Sequence, residues 1–359
     1  MTQTDRRSSL ATTPASGCPA DHLTRRAVSR PTRKAPALFD LPGSWVWDFW
    51  FADDGDRYHL FFLYASRALH DPDARHHRAA IGHAVSTDLV EWTQVADALV
   101  HSDAPAFDEL ATWTGSVVRH PDGTWFMFYT GASLAADGRN VQRIGYATSP
   151  DLLVWTKAEG PVLEAREPWY EKLASGAWHD EAFRDPWVFA DPDGDGWHML
   201  LTARAPEGPV AGRGVVGHAW SPDLRTWELR APLTVPSEQG FGQLEVLQAE
   251  VVDGRPVLIF SCLAEHATDV RRDAGGGTWA VPAESLLGPF DVDAAYPLTD
   301  ERLYVGRLLR RRSDGQWLLF AFRNAGDDGA FVGGITDPML VEWRGGRLVQ
   351  RATEAVASA

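Results

Sequence analysis

The sequence has few cysteines, no long apolar run and too little positive charge, and each shortage excludes a class of protein. Its 359 residues include two cysteines, Cys18 and Cys262, so we predict no disulfide framework. No apolar run approaches the roughly 20 residues of a spanning helix, so a membrane protein is not expected. Lys and Arg number 34 against 49 Asp and Glu. Because nucleic-acid phosphates require a basic surface, nucleic acid is not an expected partner.

Glycine, proline and tryptophan are abundant instead, with 32, 23 and 16 copies, which is typical of a turn-rich all-β chain. Five of its Asp-Gly pairs recur at intervals of 68, 71, 60 and 61 residues. The five pairs lie at 54–55, 122–123, 193–194, 253–254 and 314–315. Each stands between apolar runs, where glycine supplies the positive φ of a tight primed hairpin turn.

A second repeat follows in three of the five units. It reads Ser-x-Asp-Leu and is followed by a Trp, at 86–92, 149–155 and 221–227. We interpret it as a strand, a turn and an edge strand that carries the Trp. One unit is then about four short strands, and the chain is predicted to be a single five-bladed β-propeller with a central funnel-shaped active site.

The repeats divide the chain into three parts. We predict a disordered leader over residues 1–37, a propeller over 38–348 whose last strand pairs with the first blade, and a flexible tail over 349–359. The pair Arg6-Arg7 and the segment around Cys18 resemble export signals but lack the hydrophobic segment that such signals need. A cytoplasmic location is therefore expected.

The chemically interesting residues lie just before each Asp-Gly pair. The distance to the turn glycine is 7 residues from Asp48, 9 from Thr114, 9 from Asp185, 9 from Glu245 and 8 from Arg307. Similar offsets in equivalent units predict that these residues occupy the same strand of every blade. Since the innermost strand of a blade faces the axis, their side chains are expected to converge on one pocket.

Three acids in a funnel walled by Trp and Tyr suit the cleavage of a glycosidic bond. One carboxylate must attack or stabilise the anomeric carbon, and one carboxylic acid must protonate the leaving oxygen. An arginine can donate paired hydrogen bonds to sugar hydroxyls and hold a neighbouring carboxylate ionised. The expected partner is a small carbohydrate, and the chemistry needs no cofactor and no metal.

Four segments resemble the signature motifs of the β-fructosidase superfamily, the five-bladed glycoside hydrolases of families 32 and 68. They are Val46-Trp47-Asp48-Phe49-Trp50, Trp113-Thr114-Gly115-Ser116, Arg184-Asp185-Pro186 and Glu245. The resemblance covers essentially the whole propeller, with each motif on its own blade. The Trp-Asp-x-Trp form of the first motif is similar to family 68, the levansucrase type.

The resemblance implies roles for these residues. Asp48 would be the nucleophile that forms a covalent fructosyl-enzyme, and Glu245 the general acid/base. Asp185 would bind two fructosyl hydroxyls and stabilise the transition state, with Arg184 beside it. The fructosyl subsite would be lined by Trp47, Trp113 and Ser116. Such a mechanism retains anomeric configuration and requires carboxyl groups about 5–5.5 Å apart.

Further binding candidates come from position along the strands. Trp50 lies on the same side of a regular strand as Asp48, and Tyr304 and Arg307 stand at the matching place in blade five. Gln243 occupies the position of a family 68 glutamate, where the partner sugar would bind.

Simpler interpretations accompany these assignments. Asp48 could cap a turn, Arg184-Asp185 could be a structural ion pair, and Glu250 competes with Glu245, although the offset to the turn favours Glu245. The acidic segment 191–196 is predicted to be a plain hairpin turn because no Glu stands at the twelfth position of a calcium loop.

The leading hypothesis is a retaining β-fructofuranosidase acting on sucrose or small fructo-oligosaccharides. A fructosyltransferase, a related furanosidase such as an arabinofuranosidase, and a non-catalytic binding propeller are the alternatives. The oligomeric state is left open.

Overall fold

The computed structural model describes residues 39–175 and 177–351, in which the apolar runs form five antiparallel sheets. The predicted leader, and the predicted tail from residue 352, lie outside the described residues. Each sheet is one blade of consecutive strands, and the second blade has an additional fifth strand. The five-bladed propeller predicted from the repeats is confirmed.

The first two blades come from residues before 165. Blade one contains β1 (Ser44–Asp53), β2 (Tyr58–Ser66), β3 (Ala80–Ser86) and β4 (Thr93–Gln94). Blade two contains β5 (Ala111–Arg119), β6 (Trp125–Leu134), β7 (Asn140–Ser149), β8 (Thr156–Lys157) and β9 (Leu163–Glu164). The extra strand β9 pairs with β7.

The remaining three blades have four strands each. Blade three contains β10 (Phe183–Ala190), β11 (Trp197–Arg204), β12 (Gly214–Ser221) and β13 (Glu228–Arg230). Blade four contains β14 (Glu245–Val252), β15 (Arg255–Cys262), β16 (Gly277–Pro282) and β17 (Tyr296–Pro297). Blade five contains β18 (Leu303–Arg310), β19 (Trp317–Arg323), β20 (Met339–Arg344) and β21 (Arg347–Gln350).

Helices in the described part of the chain are short and lie in connections. The α-helix α1 spans Asp269–Arg272. The 3-10 helices span Arg67–Leu69, Asp73–Arg78, Leu173–Ser175, Val210–Gly212, Ala264–His266 and Val292–Ala294. None of the described helices is long and apolar enough to cross a membrane.

The first strand of every blade lies at the axis. In ring order β1 contacts β5, β5 contacts β10, β10 contacts β14, β14 contacts β18, and β18 contacts β1. The second strands are buried between neighbouring blades, and one fully buried residue from each is Phe62, Met127, Leu200, Ile259 and Leu319. Burial on both faces explains why these strands are continuous apolar runs in the sequence.

The ring closes differently from the prediction. The last strand, β21, pairs with β20 inside blade five and not with the first blade. Closure comes from the chain before β1, where Phe39 and Ile335 exchange main-chain hydrogen bonds of 3.4 and 2.8 Å. The amide of Gly334 also donates to the carbonyl of Val46 at 2.7 Å. Blade five therefore keeps all four of its own strands.

The five Asp-Gly pairs of the repeat each connect the first strand of a blade to the second, as the repeat predicts. The prediction of tight turns is wrong for four of them, because their connections span 54–57, 120–124, 191–196 and 311–316. Only Asp253-Gly254 forms a two-residue turn, with both φ angles positive at 50° and 79°. Counting residues to the turn glycine therefore does not measure distance along the strand.

The Ser-x-Asp-Leu repeat forms a tight turn, as blade one illustrates. Ser86 Oγ accepts from the amide of Leu89 at 2.9 Å, and Asp88 Oδ1 accepts from that of Val90 at 2.8 Å. Leu89 adopts a positive φ of 65°. Trp92 lies just before β4 rather than within it, and the equivalent Trp residues of blades two and three do the same.

Every axial strand contains a β-bulge at the same level. The pairing register with the second strand shifts between Val46 and Phe49, Trp113 and Gly115, Arg184 and Trp187, Glu245 and Gln248, and Tyr304 and Arg307. A bulge adds an unpaired residue and redirects side chains, as is common next to active sites. The repeated bulge sets which axial residues face which end of the propeller.

Blades one and three each contain a buried Asp–His–His chain. In blade one His59 Nε2 lies 3.1 Å from Asp54 Oδ2, and His59 Nδ1 lies 2.9 Å from His83 Nε2. The carboxylate accepts from His59, which leaves His59 Nδ1 to accept from His83. The remaining His83 Nδ1 is buried and has no hydrogen-bond partner among the described residues. Both imidazoles are therefore neutral in the folded protein.

These histidines are expected to make the fold sensitive to acid. Burial lowers the pKa of His83 to about 3, below the ordinary 6.5 of an exposed histidine. The contribution of neutral His83 to the stability of the fold is complete above pH 6.5 and is lost as the pH falls towards 3, because in this range only the unfolded chain binds the proton readily. At pH 4 the free energy of unfolding should be lower than at pH 7 by on the order of 3 kcal/mol from this group. Urea unfolding at each pH, monitored by Trp fluorescence, measures this difference in the free energy of unfolding.

Blade two supplies a model for a control variant, because Phe126 and Tyr146 occupy the strand positions that His59 and His83 occupy in blade one. Their ring centroids lie 5.5 Å apart. The double variant His59→Phe/His83→Tyr should lose less stability between pH 7 and pH 4 than the wild-type protein. An unchanged difference between the two pH values would contradict the assignment.

Candidate active site

A cavity of about 750 Å³ opens at one end of the axis, on the side where the axial strands begin. Eight of the eleven residues selected from the sequence line it, namely Trp47, Asp48, Trp113, Arg184, Asp185, Gln243, Glu245 and Tyr304. Trp50, Ser116 and Arg307 do not. All three candidate catalytic carboxyl groups therefore share one cavity.

Asp48 lies in the bulge of β1. The hydroxyl of Thr114, on the neighbouring strand β5, donates to Asp48 Oδ2. Burial raises the pKa of Asp48 to about 7, and the charges of Asp185 and Glu245 act in the same direction. The Thr114 hydrogen bond and the charge of Arg75 oppose this rise. Asp48 thus exchanges its proton near neutral pH.

Asp185 is held more rigidly, in the bulge of β10 with a φ of 58°. Its Oδ2 accepts from the Thr202 hydroxyl at 2.9 Å and from the Val246 amide at 3.3 Å. Burial raises its pKa, and the guanidinium of Arg184, with Nε 3.4 Å from Oδ2, works against this rise. The carboxylate is fixed by groups from two blades.

Glu245 occupies the first position of β14 and is bound on both oxygens. Arg184 Nη2 donates to Oε1 at 2.6 Å, and the Tyr304 hydroxyl donates to Oε2. Burial raises the pKa of Glu245, but the charge of Arg184 and the Tyr304 hydrogen bond outweigh burial, so the net pKa is lowered. Glu245 is therefore ionised at neutral pH.

Arg184 connects the acids to the wall of the cavity. Besides Glu245 and Asp185, its guanidinium donates to Oε1 of Gln142 at 3.1 Å and to Oε1 of Gln243. Gln243 Nε2 in turn lies 3.1 Å from His266 Nδ1. Gln243 therefore reaches the cavity as a partner of Arg184.

The β-bulges change the register assumed from the sequence. Glu245 is the last paired residue before its bulge, the position that Arg184 and Tyr304 hold in their strands, whereas Asp185 and Asp48 lie within theirs. The equal offsets of Asp185 and Glu245 arose from turns of unequal length. Asp185 is the first residue of its bulge and Asp48 the second, so the three acids reach the cavity from three different strand positions.

The same bulge explains why Trp50 is absent from the cavity. Two residues of β1 stand opposite one residue of β2, so the alternation between Asp48 and Trp50 is broken. Trp50 is fully buried and stacks on Phe61, with centroids 6.0 Å apart. Ser116 is also buried, where its Oγ accepts from the Val188 amide at 3.1 Å.

Glu250, the rival of Glu245, lies elsewhere. It lines a second cavity of about 220 Å³ at residues downstream of the bulges, together with Arg307. The offset to the turn glycine therefore selected the glutamate that faces the three-acid cavity. It nevertheless aligned Glu245 with Asp185, whereas in the structure Glu245 aligns with Arg184, one residue earlier.

Sequence reasoning missed the cavity residues that lie outside the axial strands. They are chiefly Arg75, His76 and His77 of the 3-10 segment Asp73–Arg78, with Asn140, His179, Asp180, His266 and Phe331. The Arg75 guanidinium lies 3.8 Å from the ring centre of Phe331, and the carbonyl of His76 accepts from Trp113 Nε1 at 2.7 Å. The polar composition of 67–79 was the available signal. No group of three His, Cys, Asp or Glu arranged to hold a metal occurs in the described residues.

Comparison with known proteins places this arrangement in a family. The sequence model of the "Glycosyl hydrolases family 32 N-terminal domain" matches residues 50–275. The chain belongs to this family. The match begins at Trp50, the last residue of the first motif, so Asp48 itself lies just before it.

Individual relatives agree with the family. "Beta-fructofuranosidase, insoluble isoenzyme 3" of Oryza sativa subsp. indica is 31% identical over 152 residues, which are 41% of this chain and 23% of the relative. The chain thus matches about a quarter of the length of that curated relative.

Solved structures share the fold. An inulosucrase from Halalkalicoccus jeotgali bound to kestose superposes with a TM-score of 0.72 at 23% identity, covering 88% of this chain and 89% of the other. Levansucrase from Bacillus subtilis gives 0.67 at 14% identity, covering 88% of each chain. This fold is therefore common to proteins of very different sequence.

The Thr114 hydrogen bond offers a direct test of the charge of Asp48. Thr114→Val removes a donor to the carboxylate, so the pKa of Asp48 should rise above about 7. Difference infrared spectra against Asp48→Asn isolate the carboxyl band and give its titration. Thr112 is the control, because it is fully buried on the same strand and its hydroxyl has no partner among the described residues. If Asp48 titrated at the same pH in Thr114→Val and Thr112→Val, the Thr114 hydrogen bond would have no influence on the pKa of Asp48.

Proposed function

We propose that the protein is a retaining β-fructofuranosidase that hydrolyses sucrose or small fructo-oligosaccharides. The observation that carries this proposal is the meeting of Asp48, Asp185 and Glu245 in one cavity, with Glu245 bound by Arg184 and Tyr304. The match to family 32 and the β-fructofuranosidase relative support the substrate class. A cavity of about 750 Å³ is within the range of small-ligand sites.

The proposed reaction has two steps. A carboxylate oxygen of Asp48 attacks the anomeric carbon while Glu245, carrying a proton, gives it to the leaving oxygen as the glycosidic bond breaks. Water then donates a proton to the Glu245 carboxylate and attacks the same carbon, which releases Asp48 as a carboxylate. Asp185 stabilises the positive charge that develops on the sugar ring, and its hydrogen bonds keep it in place.

The reactive form carries one proton on the pair Asp48 and Glu245. Because the pKa of Asp48 is raised and that of Glu245 is lowered, this proton lies on Asp48 before substrate binds. Substrate hydroxyls that compete for Arg184 and Tyr304 would weaken their hold on Glu245 and raise its proton affinity. The positive charge forming on the sugar would at the same time favour ionised Asp48.

Removing either proposed catalytic group should abolish hydrolysis. Asp48→Asn and Glu245→Gln should each lower kcat for sucrose by about 100-fold to 10,000-fold, since each removes an essential carboxyl group. Glucose and fructose release are measured together. Glu250→Gln is the control, because Glu250 lines the other cavity and should leave the rate unchanged. Sucrose turnover by Asp48→Asn or Glu245→Gln at the wild-type rate would refute the assignment.

Two product measurements separate the proposal from its alternatives. A hydrolase releases glucose and fructose equally, whereas fructosyl transfer to sugar leaves free fructose in deficit. With methanol as acceptor, a retaining enzyme yields the methyl β-fructofuranoside, whose configuration is stable enough for NMR. The α anomer would refute the covalent mechanism.

The pH dependence of kcat/KM should be bell-shaped, with its alkaline limb near pH 7. Above this pH both Asp48 and Glu245 are ionised, so no acid remains; below the lowered pKa of Glu245 both are protonated, so no nucleophile remains. Tyr304→Phe removes a hydrogen bond to the Glu245 carboxylate and should move the acidic limb to higher pH. An acidic limb at the wild-type pH would count against this role of Tyr304.

A further inference from the structure

Arg307 is a buried arginine that the proposed reaction does not use. It follows the bulge of β18 and is 2% exposed. It does not line the three-acid cavity but borders the second cavity. It thus lies on the axis beyond the bulges, where a long charged side chain is costly to bury.

Its hydrogen bonds join the strands that carry the proposed nucleophile and acid. Arg307 Nε donates to the carbonyl of Phe49 at 3.1 Å, and Nη1 donates to the carbonyl of Leu247 at 2.8 Å. Phe49 is the residue after Asp48, and Leu247 is two residues after Glu245. One planar group on blade five thereby links β1 of blade one to β14 of blade four.

The charge of Arg307 is not neutralised by a direct partner. Both of its hydrogen bonds go to main-chain carbonyls, and its Nη2 has no hydrogen-bond partner among the described residues. Burial lowers its pKa to about 10, while the charges of Asp185 and Asp48 raise it. The side chain therefore remains a cation at neutral pH, and the acids whose charges act on it belong to the candidate active site.

We propose that Arg307 is a positioning residue, which sets the separation of Asp48 and Glu245 through the main chain and places an uncompensated positive charge behind Asp48 and Asp185. This inference rests on the proposed function. A planar guanidinium suits the task because its donors have fixed relative directions, whereas a lysine ammonium is a single point. A displacement of about 1 Å in a catalytic group can cost on the order of 100-fold in rate.

The test compares Arg307→Met, Arg307→Lys and the control Arg310→Met. Arg310 lies on the same strand but is exposed, with Nε donating to the Gly315 carbonyl at 3.2 Å.

Arg307→Met should lower kcat for sucrose by roughly 10-fold to 100-fold, with KM changed less than about threefold. It should also move the alkaline limb of kcat/KM to higher pH, because the loss of the cation makes Asp48 harder to ionise. Arg307→Lys should keep that limb near its wild-type position but still lower kcat, and Arg310→Met should behave as wild type.

A purely structural Arg307 would give another pattern. Its loss would lower the melting temperature and the fraction of active enzyme, without moving the alkaline limb, and that result would overturn the inference. If Arg307→Met does not fold, Arg307→Lys decides, since wild-type kcat in that variant would also overturn it. If the wild-type protein cleaves no β-fructoside, the proposed function fails on its own. The infrared titration of Asp48 then still tests the effect of the charge, because the pKa of Asp48 should rise in Arg307→Met and stay near its wild-type value in the charge-keeping Arg307→Lys. A folded Arg307→Met protein in which Asp48 titrates as in the wild type would refute this effect.

Discussion

Three carboxyl groups meet at one end of the propeller axis, and much of the surrounding structure serves to keep them there. Burial and mutual repulsion both disfavour their ionised forms. Arg184 offsets part of this cost by contacting Glu245 and Asp185 together. Hydroxyl groups from neighbouring strands supply further donors, Thr114 to Asp48 and Thr202 to Asp185. Because each acid is bound by a residue of another blade, the site exists only when the ring is assembled.

The bulge in each axial strand makes this convergence possible. A regular strand turns alternate side chains to opposite faces, so neighbouring residues could not both approach one cavity. In β1 the bulge lets Trp47 and Asp48 line the cavity together. The cost appears in the backbone, since Asp185, Val246 and Val305 adopt φ angles of 58°, 55° and 51°. Such left-handed conformations cost on the order of 1–3 kcal/mol each and persist where the surrounding structure enforces them.

The repeats predicted the architecture well because they follow local turn chemistry and apolar runs, which the sequence displays directly. The Asp-Gly pairs marked the connection between first and second strands in all five blades. Bulges have no such local marker, which is why Trp50 was assigned to the cavity and the register of Glu245 was off by one. Arg75 was missed because a connection, not a repeated strand, brings it to the cavity.

The distribution of protons bears on how such a site would work. Asp48 has a pKa of about 7, whereas that of Glu245 is lowered from its usual value of 4.5. Moving the proton from Asp48 to Glu245 is therefore unfavourable. Binding energy from sugar hydroxyls that engage Arg184 and Tyr304 is the available source, since the same contacts hold Glu245 ionised. A ligand that fills the cavity without engaging these two residues would leave the proton on Asp48, so recognition of the sugar and activation of the acid would be one event.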